Sequence, residues 1–264
     1  MLRAGYRRLL HGQDDPSRQV GWVDRLQQFV AFEVLAAVGD LFAVPAPAVL
    51  DVGCGLGDFL SYLRGREFTG CYTGVDLVPE LVEAARARHL GAGDASTTGV
   101  SFIVADILDP DLVLEPQDYV VASGLFDYRV PDSTERLPRT VRRLFDLCRR
   151  GLAWNVLNLV PVARDDLYRA PPGELLALCE VLTPWFVVRG DYDPHALTFY
   201  LYKREHYVDE GLLQLVGRLF LDADARAQVV ADPLCWAAEY DLTLQQLNVL
   251  LPLLGDTSTG HATP

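Results

Sequence analysis

Apolar residues recur at helical spacing between Trp22 and Phe42, at Leu26, Phe29, Val30, Val34, Leu35, Val38 and Leu41, which predicts an N-terminal amphipathic helix. Pro45 and Pro47 stop that helix and lead into extended chain. From Ala48 the pattern changes. Short apolar runs over 48–52, 71–75, 100–104, 117–123 and 152–157 predict strands, alternating with helical patterns over 57–64, 79–89, 133–150 and 172–182. Such alternation predicts a parallel sheet with helices on both faces. Two more strands are predicted over 185–189 and 197–202. The segment between them, Gly190 to His195, is too short for a helical crossover, so these strands are expected to form an antiparallel pair. Beyond Lys203 the spacing turns helical again. Two or three short helices are expected over 208–254, with Leu212, Leu213, Leu215, Val216, Leu219 and Phe220 as one apolar face.

The expected organisation is an N-terminal helical segment or lid over 1–47, a core over 48–204, a helical appendage over 205–254 and a disordered tail over 255–264. A chain of 264 residues, 50% hydrophobic, suits one α/β domain with an appendage. Its net charge of −13 argues against DNA or RNA as a partner, because an acidic surface repels phosphates. The basic stretch holding Arg139, Arg142, Arg143, Arg149 and Arg150 reads as a solvated helix face. Five scattered cysteines (Cys54, Cys71, Cys148, Cys179 and Cys235) show no CxxC spacing, so neither a metal site nor a disulfide framework is expected. The sequence shows no signal peptide or membrane span, and a cytoplasmic location is expected.

The chemistry begins where the first strand ends. Asp51 is followed by Gly53-Cys54-Gly55-Leu56-Gly57-Asp58, a turn whose glycines let the backbone bend sharply and approach a ligand. At the carboxyl end of a strand beside a switch point, such a turn forms a nucleotide cleft. Nicotinamide enzymes use a related turn, although their third glycine comes one residue later. Asp76 and Leu77 end the second strand, where a carboxylate can accept hydrogen bonds from both ribose hydroxyls. Asp106 and Ile107 end the third, where a carboxylate can accept from an adenine amino group and an apolar side chain can pack on the base. Each aspartate alone could be a cap or turn residue. Their occurrence at three successive strand ends points to one adenosine-bearing ligand.

With these motifs in place, the stretch from Val49 to Lys203 resembles the class I S-adenosylmethionine (SAM)-dependent methyltransferases. The resemblance implies a Rossmann-like α/β fold, with a seven-stranded, mostly parallel sheet ending in an antiparallel hairpin. It implies SAM as cofactor and S-adenosylhomocysteine (SAH) as product. Gly53, Gly55 and Gly57, with Cys54 among them, would line the methionine portion, Asp51 would sit near its amino group, Asp76 near the ribose and Asp106 near the adenine. The segments Ala122-Ser123-Gly124-Leu125-Phe126-Asp127, Ala153-Trp154-Asn155-Val156-Leu157-Asn158 and Thr198-Phe199-Tyr200-Leu201-Tyr202-Lys203 resemble a bacterial methyltransferase group. In that group an upstream helix carries a Trp and a Gln, which Trp22 and Gln27 or Gln28 would match.

Methyl transfer needs an acceptor held in line with the S–CH3 bond, and a base only where the nucleophile must lose a proton. Ser123 and Gly124 are expected to border the methyl site. Candidate acceptor-side residues lie on loops after the later strands: Asp127, Tyr128, Asn155, Asn158, Asp191, Tyr192 and His195. Each could equally be an ordinary polar loop residue. The segment from Arg218 to Leu247 resembles small LigA-like helical modules, which would fit a peptide acceptor or a docking role; a helical cap or oligomer contact is the plainer reading. The expected function is methyl transfer to O or N of a small-molecule or peptide acceptor, in a natural-product setting, with a homodimer or partner protein formed through the C-terminal helices. A SAM-binding scaffold and an NAD-dependent oxidoreductase stand as rivals.

Overall fold

The run Ala-Val-Leu-Asp-Val at 48–52 holds one polar side chain among four apolar ones, the composition of a strand covered on both faces. In the computed structural model it is β1 (Ala48–Val52), in the interior of a seven-stranded sheet. The structure describes residues 15–39, 41–42, 46–90, 99–158, 165–203, 215–216, 218–219, 222–240, 242, 250–251 and 254. Among the described residues two helices precede β1: α1 (Pro16–Gln19) and α2 (Arg25–Ala36). After it come α3 (Asp58–Arg64), β2 (Cys71–Asp76), α4 (Pro79–His89), β3 (Val100–Val104), β4 (Gln117–Ala122), α5 (Ser133–Asp146), β5 (Cys148–Leu157), α6 (Pro172–Leu182), β6 (Phe186–Arg189) and β7 (Ala196–Tyr202).

The strand order is β3-β2-β1-β4-β5-β7-β6. The first five strands pair in parallel, and β7 runs antiparallel to both β5 and β6. The order reverses between β1 and β4, so the loops leaving these two strands diverge and open a crevice. Because β7 alone runs backwards, the β6–β7 connection arrives at the same carboxyl edge as the other strand ends.

Alternation along each strand divides the core. Leu50, Val52, Leu152, Trp154, Phe199 and Leu201 face α5 and α6, where Trp154 stacks on Phe199 at 4.6 Å. Val49, Tyr72, Val121, Ala153 and Tyr200 face α2, α3 and α4. The N-terminal helix belongs to this second layer: the Tyr200 hydroxyl donates to the Val34 carbonyl at 2.6 Å.

Two expectations are corrected. The helix expected over 133–150 ends at Asp146, and β5 begins at Cys148 rather than 152. The amide of Gln117 donates to the Leu147 carbonyl at 2.8 Å, and Gln117 pairs with Cys148, so the sheet claims a backbone whose side chains still read as helical. The N-terminal helix is also shorter than its apolar pattern. Asp24 caps it, accepting from the Gln27 amide at 2.9 Å, which leaves Trp22 and Val23 outside. Leu26 and Phe29 are 71% and 50% exposed, because α2 turns Ala31, Phe32 and Leu35 to the sheet instead.

The chain divides into two compact units, Met1–Lys203 and Arg204–Pro264. In the second, α7 (Ala223–Ala231) and α8 (Pro233–Glu239) meet at Asp232, which ends one helix and caps the other. Leu215, Leu219, Ala225, Val229, Trp236 and Leu250 form its core, with Arg218 laid 4.6 Å over the Trp236 ring. Leu212, Leu213, Phe220 and the tail over 255–264 lie outside the described residues. All five cysteines are free. Among the described residues no helix is long and apolar enough to cross a membrane, and no cluster of metal-ligating side chains occurs.

Candidate functional site

At the crevice between β1 and β4 lies a cavity of about 290 Å³. Its floor is the glycine turn after β1. Gly53 and Gly55 take φ of +81° and +52°, left-handed values that favour glycine. The amides of Gly53 and Cys54 donate to the Val75 carbonyl at 2.8 and 3.2 Å, tying the turn to β2. A Cβ at Gly55 would come within 2.9 Å of Val20, so the N-terminal segment closes over this turn.

Four carboxylates border this half of the cavity, each with a partner. Asp76 accepts from the Gly55 amide at 2.9 Å and the Val78 amide at 2.8 Å, while burial raises its pKa. Asp51, only 2% exposed, accepts from the Tyr72 hydroxyl at 2.5 Å. Burial pushes the Asp51 carboxyl up to about 7 despite that bond. Asp58 accepts from Gln28 at 3.2 Å and pairs with Arg88 at 2.5 Å. Asp106 takes both oxygens to Arg136, at 2.6 and 2.8 Å. Arg136 went unnoticed in the sequence, since nothing near it marks a reach from α5 back to the β3 end. Leu77 and Ile107 also line the cavity.

Gly57 departs from its expected place. It is absent from the cavity wall, and a Cβ there would lie 2.8 Å from His89 and 3.1 Å from Phe102. Its φ of +73° and lack of side chain serve close packing of α3 on α4 and β3. His89 supports this contact with Nε2 3.2 Å from the Leu56 carbonyl and Nδ1 3.5 Å from Arg64. A carbonyl accepts and a guanidinium donates, so the ring is neutral with its hydrogen on Nε2.

The other half of the cavity is built on the loops after β4 and β6 and on the end of β5. Ser123, Gly124, Asp127, Tyr128, Asn155, Tyr192 and His195 all reach it; Asn158 and Asp191 do not line it. Asn155 is committed to the scaffold: its Oδ1 accepts from the Gly124 amide at 2.8 Å, and its Nδ2 lies 3.5 Å from Ser123 Oγ. The Tyr192 hydroxyl bonds Thr198 at 2.7 Å. Asp193, also on the wall, accepts from Gln27 at 3.2 Å, joining α2 to the β6–β7 loop. Asp127 has neither a hydrogen bond nor an ion pair on its carboxylate among the described residues, and burial alone raises it to about 7. Gly124, at φ +65°, leaves a notch beside it: a Cβ there would lie 3.4 Å from Asp127 Oδ2 and 4.0 Å from the Trp22 ring.

Residues 49–151 match the methyltransferase domain family. A Mycobacterium tuberculosis (strain ATCC 25618 / H37Rv) protein, Rv1506c, provisionally named a methyltransferase, is 39% identical over 140 residues, half of this chain and 78% of that one. This chain belongs to the class I SAM-dependent methyltransferases. Solved structures share the fold. Magnesium protoporphyrin IX methyltransferase of Synechocystis PCC 6803, with bound SAM, superposes with a TM-score of 0.52 at 17% identity, over 76% of this chain and 90% of that one. The plantazolicin methyltransferase BpumL, with SAH and a triazolic desmethylPZN analogue, gives 0.52 at 16% identity, over 76% and 95%. The methyltransferase is thus an enzyme that uses SAM. The NAD-dependent and non-enzymatic readings fall with that assignment.

Proposed function

We propose that this methyltransferase transfers the methyl group to an O or N atom of a small-molecule or peptide acceptor, with Asp127 removing the acceptor's proton. The carrying observation is the Asp127 carboxylate on the cavity wall, without a partner among the described residues and beside the Gly124 notch. A base tuned near neutral pH is matched to proton removal under ordinary conditions.

The residues present fit SAM. Gly53 and Gly55 would allow the methionine portion close to the backbone, and Asp51 would hold its ammonium group. Asp76 keeps lone pairs for the ribose hydroxyls beyond its two amide bonds. Ile107 packs on the adenine. Asp106 serves the base edge as an anion secured by Arg136. Gln28 acts at one remove, by holding Asp58. When bound, SAM supplies an electrophilic methyl whose C–S bond breaks on attack, leaving the electron pair on sulfur.

The chain's residues then arrange the acceptor. Asn155 fixes the Ser123–Gly124 turn so that the Gly124 notch stays open. Tyr128, Tyr192 and His195 line the acceptor wall, and Gln27 with Asp193 closes the rim. A cavity of about 290 Å³ is at the small end for ligand sites, so SAM fills much of it and the acceptor inserts only its reacting end. A small molecule or a peptide terminus meets that limit, in keeping with a biosynthetic tailoring role. The acidic surface disfavours nucleic acid.

The test is Asp127→Asn, assayed with labelled SAM against a panel of amines, phenols and peptides. The expected result is a kcat about 10²–10⁴ lower, with SAH affinity within about twofold of the parent. An unchanged kcat would remove Asp127 from the reaction.

A further inference from the structure

The charge arrangement of the cavity narrows the acceptor further, resting on the reading of Asp127 as the base. We infer that the acceptor is an amine that enters as its ammonium ion, paired to Asp127 and packed against the Trp22 ring.

Five of the wall carboxylates are satisfied within the protein. Asp58 and Asp106 have arginine partners, Asp51 has Tyr72, Asp76 has backbone amides and Asp193 has Gln27. Among the described residues Asp127 has no such partner, and the one arginine on the wall, Arg136, is held by Asp106. A carboxylate or phosphate acceptor would therefore meet further carboxylates, with no free guanidinium among the described residues to receive it. A cation meets the opposite situation. Asp127 Oδ2 and the Trp22 indole lie 3.4 and 4.0 Å from the position a Cβ at Gly124 would take, so an ammonium group placed there would touch a carboxylate and an aromatic ring together.

The proton balance also favours nitrogen. An aliphatic hydroxyl is far too weak an acid to give its proton to a carboxylate ahead of transfer. An ammonium paired with a buried carboxylate differs: desolvation makes the ammonium more acidic and the carboxyl less so, and transfer between them turns two buried charges into none. The proton passes from nitrogen to Asp127 Oδ2. The freed lone pair forms the new N–C bond as the C–S bond breaks, and the electron pair stays on sulfur. The products are a methylated ammonium ion, neutral thioether and protonated Asp127, which returns its proton to solvent. Deprotonation also spares the sulfonium a neighbouring cation.

Calorimetry in the presence of SAH, where no transfer occurs, tests this with benzylamine, benzyl alcohol and benzoate as probes. Benzylamine is expected to bind at least about tenfold more tightly than benzyl alcohol, with benzoate weakest, and to lose about tenfold in Asp127→Asn. Absence of benzylamine binding, parity with benzyl alcohol or benzoate, or full retention in Asp127→Asn overturns the inference. These outcomes leave the donor site standing if SAH binds. Failure of SAH to bind overturns the donor-site reading and the amine inference with it. In the turnover assay with labelled SAM, loss of activity on phenols without loss of amine binding in Asp127→Asn would keep the base and overturn the amine.

Discussion

Where β1 meets β2, every carboxylate on the cavity wall already has a protein partner, whereas beyond β4 Asp127 has none among the described residues. The first region is organised by backbone: left-handed glycines, amides turned to Val75 and Asp76, and a buried Tyr72 behind Asp51. The second is organised by side chains on loops. A donor that is the same for all such enzymes can be met by fixed backbone dipoles, which cost no reorganisation on binding. An acceptor that must lose a proton needs a group with unspent capacity. In the proposed reading, affinity for the donor belongs to one end and chemistry to the other, a division that experiment can break.

The largest expected effect is the kcat loss of about 10²–10⁴ in Asp127→Asn without a change in SAH affinity. If SAH binding falls in parallel, the two ends are not separable. Next is Asp76→Ala. It removes the proposed ribose contacts and strands the Gly55 and Val78 amides, each lost bond to a charged group being worth about 1.5–3 kcal/mol. SAH affinity should drop about 100-fold by calorimetry; an unchanged value would misplace the ribose.

A smaller effect is expected from pH. The Asp51 carboxyl is raised to about 7 in the ligand-free protein, so it is largely protonated below that value and cannot pair with an ammonium group. SAH affinity should therefore fall as pH drops through about 7. Stability moves the other way. A carboxyl raised in the folded state contributes most below its ordinary value of 3.8, and that contribution is lost as pH rises from there to about 7. Thermal unfolding with and without SAH across pH 5 to 8 should show the SAH-induced increment growing as pH rises. A flat increment would detach Asp51 from the donor. The mildest change is Gln27→Ala, which breaks the bond to Asp193 at the rim. Loss of one such bond, about 0.5–1.5 kcal/mol, should raise the acceptor KM about threefold and leave SAH affinity alone. A change in SAH affinity instead would place the rim over the donor.

The same division explains what could be read from the chain before its structure. The strand–helix alternation is a local pattern, and the sheet follows it; the glycine turn and Asp76 are local too, and the structure sets them at the ends of β1 and β2. Arg136 was invisible because its partner, Asp106, is distant in sequence and meets it only once α5 folds back along the sheet. Asn155 was legible as a polar residue among apolar neighbours, yet sequence does not tell a catalytic amide from one bonded to Gly124. Gly57 shares the left-handed geometry of its neighbours while serving helix packing. The 147–150 stretch looked helical because side-chain pattern is local and strand pairing is not.

The reversed strand β7 has a consequence for variation among such enzymes. A hairpin tip, unlike a helical crossover, can be lengthened, shortened or exchanged without shifting the register of the strands it joins. Here that tip carries Tyr192, Asp193 and His195 to the cavity mouth. Selectivity can then be rewritten as a cassette at one edge of the sheet while the cofactor apparatus across the switch point is inherited unchanged.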